Sequence, residues 1–446
     1  MSRTLKKMPK GAAEGERGII IILVAVVMLF VVGAMAALSI DVATLYTARS
    51  EAQLAADGAA LAGARVLANS GMTSSTAGPI GVEGLARTIA TQVAESNPVG
   101  GRNLSATGTC TPGAEISVCF NNDDSPSFIT NPQITVTVQR SDLPTFFARI
   151  WGRTQLTVAA TATAEAYNPS SALGSTGSAR SAVAPVCVKP WLLPNIDPSG
   201  GTTIFGPTDG DITNPALLGW TFNSAGGKPM TPACAGGDCS GGPLPAPTAW
   251  SYYPGADDDL SFPPPTHSIP VCTPVLTTSY QQSIAGCVQT PIACNNNTVS
   301  IDVSPYPVPG RNIDTTVAVN CLTHATANLG DADEVDTASG TPPSPPFQFL
   351  AGAQNPVAGA HGIPVIVSSS LVTVPVFDVT NGTTPPIQIL GFVQLFLNPD
   401  GLATPTPGYI DATIINMAGC GTGTISPPVI GNGASPVVVR LISSGP

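Results

Sequence analysis

The hydrophobic pattern of this chain changes character along its length. From Gly18 to Ile40 the residues are continuously uncharged and mostly apolar. As a helix this run extends about 35 Å at ~1.5 Å per residue, enough to cross a bilayer core. A helix also satisfies every backbone amide internally, as lipid requires. From Asp41 to Arg65 the chain lacks proline and is dense in alanine, the best helix former. Ala48, Ala52, Ala56, Ala60, Ala64 and Ala68 recur every four residues, which places them on one smooth ridge. Ala55, Ala59 and Gly63 lie beside it, and Asn69-Ser70-Gly71 predicts the helix end. A face this small predicts close packing on the chain's own sheet, and it could also support a homo-oligomer through the Ala-rich helix.

Beyond it the period shifts from helical to alternating. A second helical pattern covers about Gly84 to Ser96 and stops at Asn97-Pro98. Ile116, Val118 and Phe120, then Ile134, Val136 and Val138, then Leu156, Val158, Ala160, Ala162 and Ala164 each alternate with polar or small neighbours. Such alternation marks half-buried strands. Between the last two, Asp142 is expected to cap a short helix with Pro144 in its first turn and Gly152 at its end. Phe146, Phe147, Ile150 and Trp151 are expected to cover the sheet. Asn168 to Arg180 is rich in Ser and Gly and reads as a linker. Residues 195–350 carry few regular patterns. Strands return at Leu371 to Val379, Ile387 to Leu397, Tyr409 to Met417 and Pro436 to Ile442. The second of these is apolar on both faces, which predicts a central strand covered twice.

Composition sharpens this picture. With 46 glycines, 45 prolines and 10% charged residues, turns and short strands are favoured. The first 17 residues carry Arg3, Lys6, Lys7, Lys10 and Arg17 against Glu14 and Glu16; the remainder holds 12 basic and 26 acidic side chains. The basic flank predicts a cytoplasmic N-terminus and an exported bulk. The acidic remainder offers no basic face to a nucleic-acid backbone. All ten cysteines lie beyond residue 100, so disulfides in an oxidising compartment are expected. Cys110–Cys119 is the first choice of pair, and Cys234–Cys239 a local second. Eight cysteines follow residue 180, and eight allow 105 pairings. Ala34-Met35-Ala36 fits a signal-cleavage pattern, but the apolar run is long for a signal core and the helical pattern continues through it. Prepilin-type cleavage after Gly11 would leave Glu16 at the fifth mature position, outside the apolar run. An uncleaved anchor is therefore expected.

The N-terminal stretch resembles the TadG-like family of Flp (tight adherence) pilus-assembly proteins. The residues carrying the resemblance are Glu16-Arg17-Gly18, the apolar span, Ile40-Asp41-Val42, Tyr46, Arg49, Gln53 and Ala55-Ala56-Asp57-Gly58-Ala59-Ala60-Leu61-Ala62. Gly58 stands where the pattern has Ala. A looser similarity extends to Phe146-Phe147 with Gly152, and to Val374-Pro375-Val376-Phe377-Asp378, Gly391-Phe392 and Gly419-Cys420. The resemblance implies a non-enzymatic, membrane-anchored component of Flp/Tad-type pilus assembly or a related envelope secretion system. Its partners would be the bilayer and other pilus-assembly or envelope proteins, its place the bacterial inner membrane.

The expected fold is α+β. Residues 1–17 form a cytoplasmic tail, 18–40 a transmembrane helix, 41–168 a helix-plus-sheet domain, 169–180 a linker, and 181–446 a larger β-rich disulfide-bonded domain. No catalytic, cofactor-binding or metal-ligating residue is assigned, and no cofactor is expected. Asp123-Asp124-Ser125-Pro126-Ser127 matches an adhesion-type metal loop but lacks the long strand such a site needs. Its reading is a polar hairpin. Asp331, Asp333, Glu334 and Asp336 form an acidic cluster without EF-hand spacing, and Asp257-Asp258-Asp259 is read as a solvated loop. Nucleophile-elbow, zinc-helix and phosphate-loop motifs are absent. The alternatives are an anchored envelope hydrolase or a calcium-dependent adhesin with its site in the C-terminal domain. His267, His324 and His361 form no ligand-like pair, and His324 and His361 have no nearby nucleophile in sequence.

Overall fold

The computed structural model describes residues 14–76, 81–105, 110–121, 131–170, 182–198, 203–222, 231–232, 251–254, 272–286, 292–297, 311–325, 331–338, 340–381, 386–398, 408, 410–421, 429–430 and 435–442. A single helix, α1 (Glu14–Asn69), runs through the apolar stretch and the Ala-rich stretch without a break. At ~1.5 Å per residue it is about 84 Å long. From Ile20 it is long and apolar enough to cross a membrane, with a mean hydropathy of 3.1 over its most apolar window. Ile20 to Val32 project outward from the protein, with Phe30 at 74% exposure. Such an apolar surface is stable in lipid and unfavourable in water.

The upper half of α1 behaves differently because of its alanines. Ala48, Ala52, Ala56, Ala60, Ala64 and Ala68 are all buried. They share one core with α2 (Val82–Ser96) and with strands β1 (Ile116–Asn121), β2 (Gln133–Pro144) and β3 (Gln155–Tyr167). The second helix answers with its own four-residue row, Val82, Ala86, Ala90 and Ala94. Small side chains facing one another bring the backbones close. A Cβ on Gly63 would lie 2.4 Å from Ile134 Cδ1 and 3.3 Å from Ala90 Cβ, so helix, helix and sheet meet closely there. The Ala row thus packs on the chain's own helix and sheet, as its small face predicts.

The sheet beneath is antiparallel and four-stranded, in the order β1-β2-β3 and then the chain's final strand, β8 (Val438–Ile442). Ile134, Val136 and Val138 point to the helices, while Thr135 pairs Thr163 and Thr137 pairs Thr161 across the other face at 2.9 and 3.0 Å. The strand expected at Pro436 to Ile442 thus pairs with β3: Arg440 lies opposite Glu165, and its guanidinium donates to that buried carboxylate at 2.5 Å.

The larger unit is built on an eight-stranded sheet. At its centre β4 (Trp191–Pro194) runs parallel to β5 (Leu371–Phe377), which pairs antiparallel with β6 (Ile387–Leu397), itself antiparallel to β7 (Ala412–Gly419). β6 is central and covered on both sides, as its two-faced apolar pattern predicts. Two helices, α3 (Ser279–Ala285) and α4 (Arg311–Leu322), pack together on this unit. Disulfides join Cys110 to Cys119, Cys272 to Cys321 and Cys294 to Cys420. The architecture is α+β, and the first-choice cysteine pair forms. Cys234–Cys239 lies outside the described residues.

Candidate functional site at the two ends of the outer helix

Two clusters fix the outer half of α1, one at its foot and one at its top. At the foot stands Asp41, the first charged residue after the apolar run and only 6% exposed. Its carboxylate accepts three backbone N–H groups: Phe146 at 2.9 Å, Phe147 at 3.0 Å and Ala148 at 2.7 Å. These belong to the β2–β3 connection, where Ala148–Trp151 forms a 3-10 turn. Free N–H groups at such a turn attract an anion. The Phe146 N–H, with those of Ala148 and Phe147, holds the Asp41 carboxyl below its ordinary range against opposing desolvation. The connection is closed at its base: Thr145 N–H donates to Thr154 O and Thr145 Oγ1 donates to Arg153 O at 2.6 Å. Gly152 takes φ 78°, a conformation that favours glycine.

This corrects two expectations. Asp142 does not cap the turn. It lies at the end of β2, where Arg140 Nε at 2.9 Å and Arg102 at 3.1 Å claim its carboxylate. Those guanidiniums, Arg140 first, hold its pKa below the usual carboxylate range. Nor does Phe146 cover the sheet, since it is 63% exposed. The capping acid came from 105 residues earlier in the chain, a distance that local spacing rules do not reach.

At the top, α1 ends inside the larger unit. Asn416 Nδ2 donates to Ala68 O at 2.7 Å and to Gln394 Oε1 at 2.6 Å, and Asn69 Nδ2 donates to Ile366 O at 2.9 Å. Helix ends leave carbonyls unpaired, and here Asn416 of β7 engages that of Ala68. Phe347 N–H donates to Ser70 O, and Ser74 Oγ exchanges bonds with both Met417 O and Met417 N. Asn168 and Ser170 are buried: Asn168 Nδ2 donates to Met417 O, and Gly419 N–H donates to Ser170 Oγ. The start of the expected linker is thus a packed junction. Gly71, at φ 79°, leaves no room for a Cβ, which would meet Ile415 O at 2.8 Å.

Asn416→Ala is therefore expected to destabilise the protein by about 2–3 kcal/mol, because Ala68 O and Gln394 Oε1 would be left buried with one partner fewer. Urea denaturation of the detergent-solubilised protein measures this, and a change below about 0.5 kcal/mol would show that the junction is dispensable.

The remaining sequence candidates do not converge. Asp123 to Ser127, Asp257 to Asp259 and His267 lie outside the described residues. Asp333 is buried, but its carboxylate is taken up by Gly352 N–H, Asn355 Nδ2 and Ser368 Oγ. Asp378 accepts from Thr380 N–H and Oγ1, a turn cap as expected of an acid after a buried strand. Among the described residues no group of three or more His, Cys, Asp and Glu could hold a metal ion. A cleft lined by Val66, Asn69, Leu85, Ile89, Phe347 and Phe349 has about 10 Å³ of internal space, room for about one water.

Comparison with known proteins adds one finding. Residues 18–66 match the family model described as putative Flp pilus-assembly TadE/G-like. The match begins with the apolar span and ends within the buried Ala row, so it covers the motif residues from Gly18 to Ala62, while Glu16, Arg17 and the distal similarities lie outside it. No curated protein and no solved structure matches the chain.

Proposed function

We propose that this chain is a non-enzymatic, membrane-anchored component of Flp/Tad-type pilus assembly or of a related envelope secretion system. The observation that carries this reading is the TadE/G-like match, which falls on one continuous helix with an outward apolar half and a buried upper half. In this reading residues 18–40 span the bacterial inner membrane once. The basic tail 1–17 stays cytoplasmic, and everything from Asp41 is periplasmic. The positive flank supports that orientation, and the disulfides, all beyond Asp41, suit an oxidising space.

The extramembrane part then comprises a helix-plus-sheet unit over 41–168 that borrows strand β8, and a larger unit over 181–446 that presents partner surface. The junction at Asn416 and Asn69 would make the two move as one body on the anchor. A pull-down of the full-length protein from crosslinked membranes of its source cells tests the function. Pilus-assembly or secretion proteins are expected among the captured partners. Their absence, with the bait itself efficiently crosslinked to other envelope proteins, would overturn the assignment.

A further inference from the structure

The foot of the outer helix has a consequence for the membrane that the anchor alone does not require. Asp41 follows Ile40, the last residue of the apolar run, by one helical step of ~1.5 Å. Phe146, Phe147 and Ala148 lie within 3.0 Å of its carboxylate through their backbone N–H groups. The β2–β3 connection is thus pinned at the level where the helix leaves lipid. The polar layer beyond the hydrocarbon is only about 5–8 Å deep on each side. A segment bound to the side chain of residue 41 lies within that depth.

What the connection presents there is apolar and basic. Phe146 is 63% exposed, and Arg149 and Arg153 are exposed beside it. This contrasts with the chain beyond residue 17, in which acids outnumber bases by more than two to one. An exposed phenyl ring in water is unfavourable, but at the headgroup–acyl boundary it is stabilised. Arginines beside it match anionic lipid phosphates.

We propose that the β2–β3 connection is a second membrane contact, in which Phe146 enters the headgroup–acyl boundary and Arg149 and Arg153 engage anionic headgroups, with Asp41 as the joint that sets its depth. The occupant of this surface is the bilayer itself, because the surface is continuous with the helix segment that enters it. Two fixed points of contact would hold the extramembrane body at a defined tilt, which a single helix does not. The proposal rests on residues 18–40 spanning the membrane, and its test separates the two.

The full-length protein is reconstituted into vesicles of phosphatidylcholine, alone or with about one third phosphatidylglycerol. Three photoreactive variants are compared: Phe30→benzoylphenylalanine in mid-span, Phe146→benzoylphenylalanine at the connection, and Leu54→benzoylphenylalanine. Leu54 is 67% exposed and stands about 20 Å further out on the same helix. After irradiation, lipid adducts are expected at positions 30 and 146, with the yield at 146 about tenfold above that at 54 and higher in the anionic vesicles. Adding Asp41→Ala should bring position 146 down to the level of position 54, and Arg149→Glu with Arg153→Glu should abolish the response to anionic lipid. Adducts at 30 but not at 146, or adducts at 146 only to protein, overturn the second contact and leave the span intact. Absence of lipid adducts at 30 overturns the span and the proposal with it.

Discussion

Replacing Cys294 and Cys420 together by alanine is expected to destabilise the protein by about 4–5 kcal/mol, about 2 kcal/mol more than replacing Cys110 and Cys119. The two bonds differ chiefly in the loop they close. Cys294–Cys420 spans a sequence separation of 126, and Cys110–Cys119 one of 9. A cross-link removes loop-closure freedom from the unfolded chain in proportion to the logarithm of that length. The longer loop gives roughly 5 kcal/mol and the shorter roughly 3 kcal/mol. Position adds to the difference. Cys294 immediately precedes the short strand Asn295–Asn297, which pairs with the start of β6 at Ile387 to Ile389. Cys420 follows β7, and its N–H donates to Leu390 O at 2.8 Å. The bond therefore ties an otherwise short edge segment to the two central strands. Urea denaturation of both double variants in the same detergent measures the contrast. Equal losses would sink the loop-entropy account, and a negligible loss for the Cys294–Cys420 pair would show that the link contributes nothing to the folded protein.

The contrast also marks what the sequence could and could not convey. Cys110–Cys119 was legible because Cys119 lies in the first strand pattern and Cys110 stands only nine positions before it, so local spacing sufficed. Cys294–Cys420 was not, since the two cysteines are 126 positions apart and Cys294 lies in the stretch of few regular patterns, which leaves its register against the distal strands undetermined. The same division recurs throughout. The long helix, its stop at Asn69-Ser70-Gly71, the alternation of β1 to β3 and the two-sided burial of β6 are all local patterns, and the structure carries each of them. Strand β8 is legible as a strand, but five residues reading Val-Val-Arg-Leu-Ile say nothing about which sheet edge they complete. Helix α4 has no helical signature in the sequence. Its sequence, Arg-Asn-Ile-Asp-Thr-Thr-Val-Ala-Val-Asn-Cys-Leu, is rich in β-branched and polar residues, which intrinsic propensity disfavours in helices. A signal for α3 did exist: Thr278 and Gln281 form a capping box, recognisable from spacing alone. At the foot of α1 the aromatic turn was visible, while its capping acid was assigned to the nearest aspartate. Capping chemistry identifies the kind of residue, and only the fold says which copy supplies it.

A second large effect is expected from Lys189, and its sign is unusual. Stability should rise with pH between about 7 and 10, by an amount approaching several kcal/mol, relative to Lys189→Met. Lys189 is 5% exposed, and its Nζ donates to Ile284 O at 2.6 Å and Gly286 O at 2.8 Å, at the C-terminal end of α3. Those carbonyls and the helix end favour a cation. Burial works against it and dominates, bringing the amine down from its ordinary 10.5 to about 7. In the unfolded chain Lys189 keeps its proton up to about 10.4. Through the window between these values the unfolded state binds the extra proton and the native state does not, so raising the pH favours folding. Below that window both states are charged and the penalty is constant. Each pH unit contributes at most about 1.4 kcal/mol. Measuring the difference in unfolding free energy between wild type and Lys189→Met at several pH values cancels the titration of all other groups. A difference that stays flat across the window would mean that the two carbonyls and the helix end fully compensate the buried ammonium. In that case Lys189 would be a permanently charged cap on α3.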